Sequence, residues 1–153
     1  MRPLLYFVAI VKNEASNFRA TIESVKDVVD GIVVLDTGST DGTQDIVRAA
    51  AGNVPCKLYE EPFVDFATSR NRVLELAEAD APVFTLMLSG DETLHNGKAL
   101  RDALEKERDT DTGGFTVELR NDLIRWLYTR VLRTDAKWRY VGVVHEVPKA
   151  PDG

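Results

Sequence analysis

Residues 4–11 (Leu4-Leu5-Tyr6-Phe7-Val8-Ala9-Ile10-Val11) run for eight positions without a charged side chain, and residues 32–35 (Ile32-Val33-Val34-Leu35) repeat the pattern. A strand with one face in water alternates apolar and polar residues. A short apolar run without alternation must be buried on both faces, as in a parallel sheet covered by helices. Each run stops abruptly at polar residues: Lys12-Asn13-Glu14 after the first, and Asp36-Thr37-Gly38-Ser39-Thr40-Asp41-Gly42-Thr43 after the second. Open α/β sheets bind their ligands beyond the carboxyl ends of the strands. The two polar clusters are therefore the first candidates for a functional site.

The rest of the chain fits this frame. Phe18, Ile22, Val25 and Val29 fall on one helical face, closed by Asp30-Gly31. Asp41-Gly42-Thr43-Gln44 has the spacing of a capping box, with Asp41 as the cap, and Ile46, Val47 and Ala50 give the following helix its inner face. A short strand over 56–59 leads to Glu60 and Glu61, expected in a solvated turn. The next helix is expected from about Asp65 to Ala79, with Phe66, Ala67, Val73, Leu74 and Ala77 inward. Arg70 and Asn71 interrupt that face, and an inward charge near a helix start needs a partner, either an anionic ligand or a buried carboxylate. Residues 83–88 read as a buried strand ending in Ser89-Gly90-Asp91-Glu92, and 97–107 as a polar helix with Ala99, Leu100, Ala103 and Leu104 inward. Three strand-like segments follow, at 115–119, 126–132 and 138–147. This order predicts an α/β fold: a mostly parallel sheet flanked by helices, with late antiparallel strands. One domain over 1–147 is expected, with 148–153 a linker or tail.

Charge and composition exclude several classes. The net charge of −6 argues against binding nucleic acid through its phosphates. Charge is uneven: residues 1–112 carry 12 basic and 20 acidic side chains (−8), and residues 113–153 carry 7 and 5 (+2). No apolar run is long enough to be a transmembrane segment, the start lacks a signal-peptide cleavage site, and a cytoplasmic location is expected. Cys56 is the only cysteine, which removes internal disulfides and cysteine metal clusters. The dinucleotide fingerprint, the P-loop and the nucleophile elbow are all missing.

The acidic clusters at the strand ends would converge on one edge of a parallel sheet. Crowded carboxylates repel unless a cation or ligand donors neutralise them, and a hard divalent cation, Mg²⁺ or Mn²⁺, is the natural partner, commonly shared with substrate phosphates. His145 follows an apolar run and could join such a site. Arg120, Arg125, Arg130 and Arg133 read as a mostly solvated face, with Arg130 or Arg133 the ones able to reach a diphosphate. Trp126, Trp138 and Tyr140 read as core or hairpin packing before sugar stacking.

Taken together, Lys12-Asn13-Glu14, Asp36 to Thr43, Arg70-Asn71, Gly90-Asp91-Glu92 and His145-Glu146 resemble family 2 glycosyltransferases of the GT-A fold, in the order the family has them. The subgroup resembled carries KNE, DTGSTDGT and HE signatures. The resemblance implies a nucleotide-sugar donor, in the first instance a UDP-sugar, an acceptor of unknown identity, and Mn²⁺ or Mg²⁺ as cofactor. It implies that Asn13, Glu14 and Asp36 flank the nucleoside. Arg70, Asn71 and Ser89 would approach the base, ribose or diphosphate, and Asp91 and His145 would hold the metal. Ser89 stands where the family usually has the first acid of its D-x-D motif, and it brings no charge to a metal. Family members generally continue beyond this point into an acceptor-binding region, so within this chain the candidates for catalytic base are Glu146 and Glu92. The implied chemistry is an inverting displacement at the anomeric carbon. The alternatives are a non-catalytic nucleotide-sugar-binding module and a nucleotidyltransferase, the latter disfavoured by the lack of a Gly-rich basic loop after the first strand.

Overall fold

The computed structural model describes residues 1–142 and 146–151. In chain order the elements are β1 (Leu5–Val11), α1 (Phe18–Val25), β2 (Gly31–Asp36), α2 (Thr43–Ala51), β3 (Cys56–Glu60), α3 (Phe66–Glu78), β4 (Phe84–Met87), α4 (Gly97–Lys106), β5 (Gly114–Arg120), β6 (Arg125–Arg133), β7 (Arg139–Val141) and β8 (Val147–Lys149). Six strands form one sheet in the order β3-β2-β1-β4-β6-β5, and β7 and β8 pair separately. β1, β2, β3 and β4 run parallel, whereas β6 is antiparallel to β4 and β5 to β6. The expected α/β fold is what forms.

The unbroken apolar runs are explained by a layer on each side of the sheet. Phe7, Ala9 and Val11 of β1 pack with Phe18 and Ile22 of α1, Val47 of α2 and Leu104 of α4. Tyr6 and Val8 point the other way, to Val73, Leu74 and Ala77 of α3 and to Tyr140 of β7. Period-two alternation sends neighbouring residues to opposite faces, and here both faces are core. Each fully buried large side chain contributes roughly 1.5–3 kcal/mol.

Several local expectations are corrected. The segment at 138–147 is not one strand. A 3-10 turn at Thr134–Ala136 precedes β7, Lys137 and Gly142 take positive φ angles on either side of it, and β7 folds back on β8. β8 also puts Val147–Lys149 in a strand, so ordered structure continues past residue 147. Helix α1 ends at Val25, although Val29 still reaches the core. The N-cap of α2 is Gly42, in the left-handed region at φ 91°, so Asp41 sits one residue outside the cap while still accepting the Thr43 N–H at 3.1 Å. Only Leu104 of α4 is buried, with Leu100 packed partly against the core; Ala99 and Ala103 face outward. Asp65 is the side-chain cap of α3, accepting from the Thr68 N–H at 2.7 Å.

Candidate functional site

β1 lies between β2 and β4, so the chain leaves it first to one side and later returns on the other. The strand order thus reverses between β1 and β4, and a crevice at the carboxyl edge is expected at that switch point. A cleft of about 390 Å³ lies there, lined by Lys12 and Glu14 after β1, Thr37 after β2, Ser89 and Gly90 after β4, Phe63 in the loop before α3, and Phe66 and Arg70 near the start of α3. Phe66 was expected inward; its ring is half exposed because it faces this cleft.

Much of the polar sequence after β1 and β2 ties the first two strand-end loops together. The Asn13 N–H donates to Ser39 Oγ at 2.8 Å, and the Thr40 N–H donates to Asn13 Oδ1 at 2.8 Å. The Glu14 N–H donates to Thr43 Oγ1 at 2.9 Å, and the Ala15 N–H to Asp41 Oδ2 at 3.1 Å. Asn13 adopts φ 53°, a strained choice that Asn tolerates better than most residues. Glu14 lies directly over Gly90: a β-carbon there would come within 2.6 Å of Glu14 Cγ. Glycine at position 90 is what lets the β1 and β4 loops meet.

Asp36 ends β2 and is only 1% exposed. Its Oδ1 accepts the Gly38 and Ser39 N–H groups at 2.9 and 2.8 Å, fixing the Gly/Ser turn. Burial alone would raise its pKa, but the hydrogen bonds from Ser39 and Gly38 outweigh it and hold the carboxyl below its usual value. Its Oδ2 is buried and has no partner among the described residues. Thr37, its neighbour, lines the cleft.

A second hollow of about 520 Å³ adjoins the first, sharing Phe66, Arg70 and Ser89 with it. The β5–β6 hairpin builds its far wall. Pairing of β6 with β4 ends near Val131, so residues 125–130 project past β4 and carry Trp126, Tyr128 and Arg130 over the strand-end edge. Arg70 pairs with Glu146 and lies 5.5 Å from the ring centres of both Phe66 and Tyr140. Burial lowers the pKa of Arg70; Tyr140 opposes that pull and the Arg130 cation adds to it. Arg130 donates to Glu92 at 3.0 Å and to the Met87 carbonyl at 3.2 Å, while its Nε is buried without a partner among the described residues. Glu92 also accepts the Ser89 N–H at 2.7 Å. Burial pushes the Tyr140 hydroxyl up to about 12.

Asn71 is occupied otherwise. Its Oδ1 accepts the Tyr140 N–H at 2.6 Å and its Nδ2 donates to the Tyr140 carbonyl at 3.0 Å, so the side-chain amide takes the place of a neighbouring strand along β7. Asn13, Glu14, Arg70, Ser89, Glu92 and Glu146 thus gather at the carboxyl edge, with Asp36 behind Thr37. Asp91 is exposed on the β4 loop, and His145 lies outside the described residues.

The resemblance implies a divalent cation, but the described residues do not fit a preformed centre for one. No three Asp, Glu, His or Cys side chains among them gather around a common point. Ser89 carries no charge, Glu92 is held by Arg130 and the Ser89 amide, and Asp91 is exposed on the β4 loop.

The expectation of a solvated arginine face holds for Arg120 and Arg125 only. Arg133 turns inward over the Phe84 ring and donates to the carbonyls of Glu107, Arg108 and Thr112 beyond the end of α4. Arg130 turns to the opposite face and into the second hollow. The register of β5 on β6 shifts between Phe115 and Thr116, which breaks period two at Arg130, and Trp126, Tyr128 and Arg130 all line the hollow. Trp138 is a packing residue, its Nε1 donating to the Gly113 carbonyl at 2.8 Å, whereas Trp126 and Tyr140 line the hollow. Glu61 receives Arg72 at 3.0 Å.

The chain resembles known proteins along most of its length. It is 39% identical over 71 residues to the SPbeta prophage-derived glycosyltransferase SunS of Bacillus subtilis (strain 168), a match covering 46% of this chain and 17% of that protein. Its fold superposes on the crystal structure of S. aureus TarS with a TM-score of 0.73 at 17% identity, covering 90% of this chain and 30% of that one. It also superposes on the mannosyltransferase PcManGT from Pyrobaculum calidifontis, in complex with GDP-Man and Mn²⁺, with a TM-score of 0.56 at 23% identity, covering 74% and 34%. At these identities the two structures speak for the fold alone, and the chain spans less than a third of the first relatives' length. The sequence model of glycosyl transferase family 2 matches residues 6–141, a stretch that takes in the crevice and most of both its walls. With the motifs, the strand order and this match in agreement, the chain belongs to glycosyl transferase family 2.

Proposed function

We propose that this chain forms the donor-binding domain of a glycosyltransferase of the KNE/DTGSTDGT/HE subgroup, taking a nucleotide-sugar, in the first instance a UDP-sugar, between β1 and β4. The observation that supports the reading is the position of the cleft: it opens at the switch point of the sheet, at the carboxyl ends of β1 and β4. Asn13 and Glu14 would flank the nucleoside, and Asp36 would meet it through Oδ2, the oxygen without a partner. Ser89 would face the ribose, and Arg70, shared by both hollows, the diphosphate. The donor domain is proposed over 1–147, with 148–153 a linker or tail; β8 spans the junction at Val147–Lys149. Among the described residues no helix is long and apolar enough to cross a membrane; a cytoplasmic location belongs to the same proposal.

In transfer, the acceptor oxygen bonds to the anomeric carbon as the bond from that carbon to the diphosphate oxygen breaks. The acceptor proton passes to a carboxylate and the nucleoside diphosphate departs. Glu146 and Glu92 are the carboxylates of the second hollow, and each faces an arginine. Mn²⁺ or Mg²⁺ held by Asp91 and His145 rests on the resemblance, since the described donors do not make a centre.

Calorimetry with UDP and GDP tests the donor reading. Binding that is lost in Asp36→Ala is expected; failure of both nucleotides to bind would refute it. A second reading, a binding module without transfer, is favoured by Ser89 and by the arginines that occupy both candidate bases. Hydrolysis of a bound UDP-sugar separates the two, because the module would leave the donor intact.

A further inference from the structure

The second hollow contains more cationic hydrogen-bonding capacity than its internal partners use. Each guanidinium has five N–H donors. Among the described residues, the acceptors that Arg70 and Arg130 meet are one oxygen each of Glu146 and Glu92 and the Met87 carbonyl. Arg130 Nε is buried with none. The side chains of Arg70 and Arg130 are 20% and 14% exposed, so both charges sit in partial shelter from water, where pairing with an anion is stronger than at the surface. Ser89 borders both hollows beside Arg70 and adds no negative charge at this point.

We infer that Arg130, together with Arg70, forms a diphosphate-binding pair that neutralises the donor's phosphates without requiring a divalent cation. In this chain two fixed guanidinium groups take over charge that an acid-rich strand end would leave to a metal. The inference rests on the donor reading above, and it adds Arg130 and the independence from metal. Guanidinium groups suit this task because their planar forks match phosphate oxygens in pairs. In the resting chain Glu92 and Glu146 occupy the two cations, and an entering diphosphate competes with them. Glu92 is thereby a brake on phosphate affinity as well as a candidate base.

The test is calorimetry in EDTA with inorganic pyrophosphate, UDP and uridine as probes. Pyrophosphate and UDP are expected to bind without metal, and UDP more tightly than uridine. Arg130→Gln should lower pyrophosphate affinity and the UDP-to-uridine ratio by roughly tenfold to a hundredfold, the worth of a hydrogen bond to a charged group. Glu92→Gln keeps an acceptor for the Ser89 amide and removes the competing charge, so it should strengthen pyrophosphate binding severalfold. A merely structural role for the pair would make both variants weaker. Pyrophosphate and UDP binding that appears only with Mn²⁺ and is unchanged in Arg130→Gln would overturn the inference and leave the donor reading standing. Metal-free pyrophosphate binding with no affinity for UDP or GDP would sink the donor reading and retain the anion pair. If Arg130→Gln does not fold, Glu92→Gln decides alone: weaker or unchanged pyrophosphate binding overturns the proposal.

Discussion

Asn71→Ala separates two roles that look alike from sequence, ligand contact and backbone clamp. In the structure the Asn71 amide closes two hydrogen bonds with the Tyr140 backbone, at 2.6 and 3.0 Å, next to a side chain that is nearly fully buried. Alanine leaves the Tyr140 N–H and carbonyl without those partners. A lost hydrogen bond costs about 1 kcal/mol, and a buried group left unsatisfied about 1–3 kcal/mol. Partial access of water to β7, which among the described residues pairs only with β8, holds the sum near 2–3 kcal/mol. In urea, with a slope of about 2 kcal/mol/M for a domain of this size, the unfolding midpoint should fall by roughly 1–1.5 M. Nucleotide affinity should change less than stability, because Arg70 keeps its helix and loses only the Tyr140 wall. The reasoning is refuted if Asn71→Ala unfolds within about 0.5 kcal/mol of the parent while UDP binding disappears. That result would return Asn71 to the ligand.

Two further outcomes are expected. Asp36 is held below its usual pKa by donated hydrogen bonds, so its contribution to stability is present above the ordinary carboxylate value of 3.8 and is lost as pH falls through the lower folded value; urea midpoints measured from pH 6 down to pH 2.5 should fall less steeply for Asp36→Asn than for the parent, and parallel curves would show that Asp36 is not linked to acid unfolding. A β-carbon on Gly31 would lie 2.4 Å from the Tyr6 ring, so Gly31→Ala should cost about 1–3 kcal/mol through overpacking, and adding Tyr6→Leu should recover part of that loss in a double-mutant cycle; strictly additive costs would show that the ring is not the obstacle.

The sequence determined the parallel half of this protein on its own. Residues 4–11, 32–35 and 83–88 carry no polar side chain that could face water except Thr85, so only a sheet covered on both faces can hold them. Their polar terminations then mark the binding edge, because carboxyl ends of parallel strands share one edge. Tertiary structure decided what the polar residues do there. Asn13, Ser39, Asp41 and Thr43 are separated by up to 30 positions, and only their meeting across two loops shows that they brace the cleft. The late strands were read less well, since 138–147 has the composition of a strand and its break depends on Asn71 taking one edge of β7 and on positive φ at Lys137 and Gly142. Arg130 and Arg133 lie three positions apart on the same strand and read alike in sequence. One enters the hollow and the other closes the end of α4, because the register shift breaks period two at Arg130 and only the packed helices say what each face meets.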